Sequence, residues 1–290
     1  MSKMVRMNRI LFLVCFLVFS LILLAPQALF AEDPGSQMTL LAINVRKADC
    51  LLLRSGKSAY LIDTGTKNSV DQVLSVLSQE GVSHLDGIIL THTHADHAGG
   101  LKGLLASDLE IDRLYASAWY DKKEGKHPID KALKKNSQRD GIEIIWLKSG
   151  DSLPLDGGTL QVLGPTEEAE EENNNSVVLL ASGGGGTMLL TGDMEFPEEN
   201  ALLSAGLLSK VDVLKVGNHG EEDATGAGLI RACEPSVAVI STNTDDEPDT
   251  PHYRVMNLLK QWHVTVYQTQ DTENGILVTL KDGQISVEMK

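Results

Sequence analysis

The sequence predicts an α/β protein in which two β-rich halves, each with helices outside, pack as a two-sheet sandwich. Three observations lead to this fold class. Strand patterns recur in both halves, and helical patterns lie between most of them. The 290 residues are 42% hydrophobic and 22% charged, which suits a folded core rather than a disordered chain. Neither a linker nor a fixed-period repeat interrupts residues 38–290, which are therefore counted as one domain with one site between the sheet edges.

The N-terminal segment differs from the rest in composition. Lys3, Arg6 and Arg9 precede an apolar run over residues 10–25, and Ala31 offers a small residue before the first acidic one. This layout predicts a signal peptide over residues 1–31 and a secreted mature protein without stable membrane association. The alternative is an uncleaved membrane anchor with the domain outside, because the apolar run approaches the length that spans a bilayer.

The first half of the domain reads β-β-β-α-β. Strand patterns cover residues 38–45, 50–54 and 58–62, and the last of them ends in a tight turn at Asp63. Ser69 and Gln72 form a capping box that predicts the start of a helix. The apolar stripe of that helix stops at Gly81, and the apolar run 88–90 is the next strand.

A cluster of metal-ligand residues follows this strand directly. His92, His94, Asp96 and His97 fall within six residues, and Gly99 and Gly100 mark the turn into the next element. Side chains two apart in an extended segment point to the same side, so His92 and His94 can reach one point. Asp96 and His97 can reach a second point nearby. Imidazole and carboxylate hold Zn²⁺ and similar ions, so the motif predicts a metal site.

The remaining elements are predicted from shorter patterns. A helix is expected over residues 100–107, a strand over 114–116, a helix over 128–138 and β-structure over 143–163. The acidic run 167–172 precedes Asn173, Asn174 and Asn175. Further strands are expected at 176–180, 188–191, 211–216 and 237–241, and a terminal hairpin at 275–281 and 284–289, turned at Asp282-Gly283.

Other candidate ligands stand at the ends of these strands. Asp193 follows the run 187–191 after a glycine, and His219 lies between Gly217 and Gly220 after the run 211–216. Asp193 is a candidate carboxylate shared by two metals. Asp63 occupies the same kind of position in the first half, where it could orient a ligand histidine.

These motifs resemble those of the metallo-β-lactamase-fold hydrolases over most of residues 38–270. Within that superfamily, the order of the later motifs is similar to the hydrolase domain of ComEC competence proteins and to secreted phosphorylcholine esterases. The resemblance implies an αββα four-layer sandwich with a binuclear metal centre at one edge. It assigns His92 and His94 to one metal, Asp96, His97 and His219 to the other, and Asp193 to a bridging position.

This chain departs from many relatives in one respect. They place a further histidine just before the strand that begins here at Ser176, where this chain has Glu and Asn residues. Asn173 or Asn175 could substitute weakly, or water could. The first metal is therefore expected to be held more loosely. Two divalent ions are expected, with Zn²⁺ as the leading choice and Mn²⁺ as the alternative.

Two cations side by side predict a metal-dependent hydrolase. They lower the pKa of a bridging water, and the resulting hydroxide attacks phosphorus or a carbonyl carbon. A proton for the leaving group could come from Asp96 or His252. His252 follows Thr250-Pro251, which predicts an N-cap and first residue of a helix with stripe Val255, Leu258, Leu259 and Trp262. A helix N-terminus suits a substrate phosphate, although an exposed first-turn histidine is the plain alternative.

The negative charge of the chain limits the classes of substrate that are expected. Removing residues 1–31 leaves 22 basic and 40 acidic residues, which changes the net charge from −15 to −18. Acidic segments at 167–172, 221–223 and 245–249 are expected around the pocket. Nucleic acid is therefore disfavoured as a partner, and a small or cell-surface phosphoester is favoured. The sequence indicates no oligomeric state, and Cys50 and Cys233 could pair or stay as buried thiols.

Three functions remain open at this point. The leading prediction is a secreted phosphodiesterase. The second is hydrolysis of a carboxylic ester, lactone or β-lactam, because the same hydroxide attacks a carbonyl. The third is a non-catalytic metal-dependent binding or sensor protein that has lost turnover together with the missing histidine.

Overall fold

Two β-sheets face each other and are covered on their outer sides by helices. The computed structural model describes residues 37–119, 127–133 and 141–290. The strands are β1 (Gln37–Ile43), β2 (Leu51–Ser55), β3 (Ser58–Ile62), β4 (His84–Leu85), β5 (Gly87–Leu90), β6 (Glu110–Ile111), β7 (Arg113–Ser117), β8 (Glu143–Leu147), β9 (Ser152–Leu155), β10 (Gly158–Gly164), β11 (Val178–Gly183), β12 (Gly186–Leu190), β13 (Val213–Lys215), β14 (Val237–Ile240), β15 (Thr265–Gln268), β16 (Gly275–Lys281) and β17 (Gln284–Met289).

The α-helices among these residues are α1 (Val70–Gln79), α2 (Ala95–Ala98), α3 (Leu101–Leu105), α4 (Pro128–Leu133), α5 (Phe196–Ser204), α6 (Ala227–Cys233) and α7 (Tyr253–Gln261). Short 3₁₀ turns cover Lys67–Ser69, Glu172–Asn175, Gly217–Gly220 and Thr269–Asp271. None of the helices in the described part of the chain combines the length and the hydropathy that a bilayer crossing requires. The predicted leader, residues 1–31, lies outside the described residues.

The order of strands brings the two ends of the domain together. The first sheet has the order β17-β16-β1-β2-β3-β5-β7-β8, and the second has the order β15-β14-β13-β12-β11-β10-β9. Strands β4 and β6 form a separate parallel pair. In each large sheet an antiparallel portion adjoins a parallel one, with β3, β5, β7 and β8 parallel in the first sheet and β12 to β15 parallel in the second.

Three apolar layers separate four layers of structure. Alternate residues of β1 show this, since Met38 and Leu40 pack between the sheets while Leu41 and Ile43 pack against helices. The middle layer joins residues of both sheets, including Leu179. The two outer layers join each sheet to its own helices. The predicted αββα sandwich is therefore confirmed.

Several predicted boundaries were wrong for local reasons. Helix α1 begins directly after Ser69 as predicted, but the Ser69 hydroxyl donates to Thr66 O (2.8 Å) within the preceding 3₁₀ turn and makes no capping bond. The helix expected over 100–107 is the shorter α3, and the strand expected over 211–216 is the three-residue β13. The helix expected over 128–138 is described only as α4, because residues 134–140 lie outside the described part. The terminal hairpin is confirmed, with positive φ at Asp282 (52°) and Gly283 (73°).

The two cysteines of the described residues are free. Cys50 is buried between the first sheet and its helices, and Cys233 between the second sheet and its helices. Burial raises the pKa of both thiols, that of Cys233 to about 12. Both are therefore protonated packing residues at neutral pH.

Candidate metal centre

The first part of the candidate site is the segment after β5. Parallel pairing of β5 with β3 and β7 brings its carboxyl end to the sheet edge, and the chain then turns through α2. His92 and His97 are buried, and their ring centroids are 4.1 Å apart. The His94 ring lies 4.7 Å from that of His92. Asp96 is the more accessible carboxylate, with 31% of its side chain exposed.

The second part comes from the other sheet. Asp193 follows β12 and His219 follows β13, and these adjacent strands are parallel, so both residues emerge at the same edge. Asp193 Oδ2 lies 3.0 Å from His97 Nε2 and 3.5 Å from His219 Nε2. His219 Nε2 is 3.3 Å from Asp96 Oδ2. Donor atoms of these four residues lie within 4.8 Å of one another.

His92 and His94 lie on one flank of this four-residue cluster. His92 Nε2 is 3.8 Å from Asp193 Oδ2, so Asp193 lies near His92 as well as near His97 and His219. The position of Asp193 suits a carboxylate that serves two ions. His94 contacts the cluster through the His92 ring.

Unusual backbone conformations present the second-sheet ligands. Gly192 has φ of 53°, and a Cβ there would lie 3.0 Å from Thr91 Cβ and from Ser176 Cβ. Asn218 and His219 both have positive φ, at 44° and 53°. Consecutive non-glycine residues in this region cost about 1–3 kcal/mol each, so the surrounding contacts must hold this turn.

A hydrogen-bonded layer behind the ligands fixes which nitrogen each histidine presents. His97 Nδ1 donates to Asp63 Oδ2 (2.7 Å), and His219 Nδ1 donates to the carbonyl of Ser241 (2.8 Å). The Thr91 hydroxyl donates to Asp63 Oδ2 (2.7 Å), so toward His92 Nδ1, 3.1 Å away, it can only accept. His97 and His219 therefore carry a proton on Nδ1 and turn Nε2 toward the cluster, and the contact with Thr91 favours the same tautomer for His92.

Charge crowding perturbs these groups in the absence of ions. Burial opposes protonation of His219, but Asp193 and Asp96 outweigh it and raise its pKa to about 9. The pKa of buried His97 is raised for the same reason, by Asp193 and Asp63. Burial together with the charge of His97 holds the pKa of His92 well below its ordinary value. Without ions, the protons on His97 and His219 therefore balance the negative charge of the carboxylates. Bound cations would take over that role.

The donor set fits divalent metal ions. His92 Nε2, His219 Nε2 and Asp193 Oδ1 are buried, and none of them has a hydrogen-bond partner among the described residues. Buried polar atoms without partners are costly, and bound cations would satisfy them. Asp96, His97, Asp193 and His219 would hold one ion. The assignment of His92 and His94, with Asp193 shared, to a second ion stays a prediction.

A family comparison agrees with this geometry. The family model described as the metallo-beta-lactamase superfamily matches residues 43–242. The chain belongs to the metallo-beta-lactamase superfamily. Among curated relatives, "ComE operon protein 3" of Bacillus subtilis is 31% identical over 71% of this chain and 26% of its own length. "Recombination protein 2" of Haemophilus influenzae is 28% identical over 76% of this chain and 26% of its own length. The chain therefore spans about a quarter of these relatives.

Solved structures of the superfamily share the fold. A diphosphatase of the PhnP family superposes with a TM-score of 0.51 at 12% identity, covering 84% of this chain and 97% of that one. The metallo-beta-lactamase fold protein YhfI from Bacillus subtilis gives a TM-score of 0.51 at 14% identity, covering 84% and 99%. The predicted resemblance and fold class are confirmed. The superfamily implies divalent metal binding, for which this chain offers the cluster described above.

The two asparagines offered as substitute ligands before β11 differ, because Asn175 is engaged by the backbone whereas the buried Oδ1 of Asn173 has no hydrogen-bond partner among the described residues. Both amide atoms of Asn175 bond to the backbone of Ala169. Its Oδ1 accepts from the Ala169 N–H (2.9 Å), and its Nδ2 donates to the Ala169 carbonyl (3.1 Å). Asn173 donates to Glu195 (2.7 Å). Ser176 Oγ instead lies 3.3 Å from His92 Nδ1 and accepts from Asp193 N–H (3.1 Å). Asn175 is therefore not available to replace the missing histidine ligand.

His252 lies near the centre but is placed differently from the prediction. It is itself the N-cap of α7, which begins at Tyr253, whereas the sequence suggested Thr250 as the cap. His252 N–H donates to the carbonyl of Gly220 (2.8 Å), the residue after ligand His219. His252 Nε2 lies 3.8 Å from Glu222 Oε2. The predicted proton donor thus stands beside the His219 turn, outside the four-residue cluster.

An acidic cavity of about 770 Å³ adjoins this turn. It is lined by Glu221, Glu222, Glu247, Pro248, Asp249, Pro251, His252, Tyr253 and Met256. Residues of two of the three acidic segments therefore line a cavity beside His252, and none of the candidate metal ligands lines it. The third behaves differently, because Glu172 is buried and accepts from Thr93 N–H (3.0 Å), within the ligand loop.

Sequence reasoning missed two buried residues beneath the centre, Asp49 and Lys215. Lys215 ends the apolar strand β13, and a charged residue in such a strand is a signal that a buried partner exists. Its partner, Asp49, comes from the other half of the chain, so no local pattern could identify the pair.

Proposed function

We propose that this chain is a secreted metal-dependent hydrolase of phosphate esters that acts as a phosphodiesterase. The observation that carries the proposal is the buried convergence of Asp96, His97, Asp193 and His219, with His92 beside them. Bound divalent ions supply a water of lowered pKa and neutralise negative charge that develops during attack. The resemblance to phosphoester-cleaving members of the superfamily favours phosphorus over carbon as the centre attacked.

The protein's own residues orient the site and manage the proton. Asp63 and the Ser241 carbonyl fix the rings of His97 and His219, so their Nε2 atoms need no rearrangement when an ion binds. Burial opposes ionisation of the partly exposed Asp96, but His219 and His97 outweigh it and lower its pKa, so Asp96 stays ionised as a ligand. His252 lies on the cavity wall with Nδ1 unbonded among the described residues, and we assign it as proton donor to the leaving group.

The acidic cavity supports a small substrate. Its carboxylates repel a polyanion and attract a positively charged group, so a small or cationic-headed phosphoester, or a cell-surface polymer bearing one, suits it better than bare nucleic acid. Because the relatives are named for competence and recombination, nucleic acid belongs in the substrate panel. With the export signal predicted for residues 1–31, we propose that the reaction takes place outside the cell.

The test uses mature protein loaded with Zn²⁺ or with Mn²⁺. We expect hydrolysis of bis-(p-nitrophenyl) phosphate, abolished in Asp193→Ala. Asp212→Asn is the matched control, because Asp212 accepts from Thr187 N–H (2.8 Å) just before β13, at the opposite edge of the same sheet. Turnover of a lactone or nitrocefin without the diester would instead assign carbonyl chemistry. Tight metal binding without turnover of either panel would assign a binding or sensor role.

The role of His252 has a sharper test. p-Nitrophenolate is a stable anion and leaves without a proton. An alkoxide leaving group, in contrast, must receive a proton as it departs. His252→Gln should therefore leave hydrolysis of the p-nitrophenyl diester within about three-fold, and lower turnover of an alkyl phosphodiester by roughly 10²-fold or more. Equal losses on both substrates would show that His252 does not act as the acid.

The proposed location is tested by fractionation. Mature protein beginning near residue 32 in the medium is the expected result. Full-length protein in the membrane fraction, exposed to added protease on the outer side, would assign the anchored alternative.

A further inference from the structure

A buried ion pair lies beneath the metal centre. Lys215 Nζ is 2.5 Å from Asp49 Oδ2, and both side chains are almost completely excluded from solvent. Apart from this contact, their charged atoms have no hydrogen-bond partner within the described residues. A buried charge without its counter-ion is strongly destabilising, so each of these residues depends on the other.

Asp49 belongs to the first half of the ligand set. It precedes β2, and its N–H donates to the carbonyl of ligand Asp96 (3.2 Å). Its own carbonyl accepts from the N–H of Gly65, in the turn after Asp63 (2.7 Å). The Asp49 backbone is therefore hydrogen-bonded both to the segment that carries the histidine motif and to the turn that contains Asp63.

Lys215 belongs to the second half. It is the last residue of β13, four residues before ligand His219. Its carbonyl accepts from the Thr191 hydroxyl (2.7 Å), at the end of the strand that leads to Asp193. The Lys215 backbone is thus tied to both segments through which the second sheet supplies its ligands.

The Asp49 carboxylate faces two ligand histidines without bonding to them. Asp49 Oδ2 is 4.0 Å from His97 Nδ1, and Asp49 Oδ1 is 3.9 Å from His219 Nδ1. Those Nδ1 atoms already bond Asp63 and the Ser241 carbonyl. Asp49, Asp63 and His97 also lie close enough to hold a cation, and the Lys215 ammonium fills that role at Asp49.

We propose that Asp49 and Lys215 are positioning residues of the metal centre, joined as an internal tie that sets the spacing between the two ligand-bearing halves. The tie keeps Asp96 and His97 at ligand distance from Asp193 and His219. Lys215 also holds the Asp49 carboxylate away from the two Nδ1 atoms. The proposal rests on the metal centre and is independent of which bond the protein cleaves.

Three variants test the tie: Asp49→Asn, Lys215→Met and the double variant Asp49→Asn/Lys215→Met. Zn²⁺ affinity is measured by competition with a chromophoric chelator, without substrate, so the result does not depend on hydrolysis. The visible absorption of Co²⁺-loaded protein reports ligand geometry. Thermal unfolding of metal-free protein reports folding. Arg113→Met is the control, because Arg113 and Glu143 form an exposed ion pair between β7 and β8 (2.9 Å).

Lys215→Met should be the least stable variant, because it leaves a buried carboxylate alone. The double variant should recover the thermal midpoint of metal-free protein, yet bind Zn²⁺ roughly ten-fold or more weakly and give an altered Co²⁺ spectrum. Wild-type affinity and spectrum in the folded double variant would overturn the proposal. Should the double variant not fold, Asp49→Asn decides, because it removes the carboxylate while keeping the shape of the side chain. Wild-type Zn²⁺ affinity in folded Asp49→Asn would also overturn the proposal.

Discussion

Replacing Asp63 by Asn tests how the protein prepares His97 for an ion. The Asp63 carboxylate is fully buried and accepts three hydrogen bonds: Thr91 N–H (2.8 Å), the Thr91 hydroxyl (2.7 Å) and His97 Nδ1–H (2.7 Å). Asp63 has φ of 60°, a conformation that asparagine tolerates better than most residues. The backbone should therefore survive the change.

The substitution reverses two hydrogen bonds, because Asp63 Oδ2 accepts from both the Thr91 hydroxyl and His97 Nδ1–H. With the Asn oxygen toward Thr91 N–H, the amide NH₂ takes the position of Asp63 Oδ2 and faces His97 Nδ1. Nδ1 must then accept, so the ring proton moves to Nε2, the atom that the ion needs. Loss of such an orienting group weakens metal affinity about 10- to 100-fold, which corresponds to about 1.4–2.8 kcal/mol.

The assay is chelator competition for Zn²⁺ at pH 7.5. Asp86→Asn is the matched control, because Asp86 Oδ2 accepts from Ala59 N–H (2.7 Å) away from the centre and should leave affinity unchanged. Wild-type affinity in folded Asp63→Asn would refute the orientation argument.

Two further predictions concern stability. In metal-free protein the raised pKa of His219, about 9 against an ordinary 6.5, contributes roughly 3 kcal/mol. This contribution is complete below pH 6.5 and lost as pH rises through 9, so the thermal midpoint should fall across that window and should not fall in Zn²⁺-loaded protein; a flat metal-free profile would contradict it. Gly192→Ala should weaken folding and Zn²⁺ binding, because its Cβ would crowd Thr91. Gly206→Ala, also at positive φ but in open space, should cost only about 1–2 kcal/mol and leave Zn²⁺ binding unchanged.

The local parts of the site were accessible from the sequence. The His92 to His97 motif is contiguous, and its chemistry is legible without a fold. Asp193 and His219 were found because strands that end in glycine-flanked ligands tend to deliver them to one sheet edge. The structure brings both within 3.5 Å of one another, through Asp193 Oδ2 and His219 Nε2.

Features that depend on distant pairing were not accessible. Strand β16 pairs with β1, and side-chain alternation shows which face of a strand is buried but not which strand lies beside it. The Asp49–Lys215 pair joins two halves and leaves no local pattern. Helix α7 also starts later than predicted because of contacts with distant residues. The carbonyl of Thr250 accepts from the Thr242 hydroxyl (3.1 Å), and the N–H of His252 donates to the carbonyl of Gly220.

The proposed function requires that side chains from both sheets bind metal at one site. Crystals soaked in Zn²⁺ and measured on either side of the zinc absorption edge would test it directly. We expect a strong anomalous peak bounded by Asp96, His97, Asp193 and His219, with a second, weaker peak beside His92 and His94. Strong zinc peaks elsewhere, with none at these residues, would contradict it.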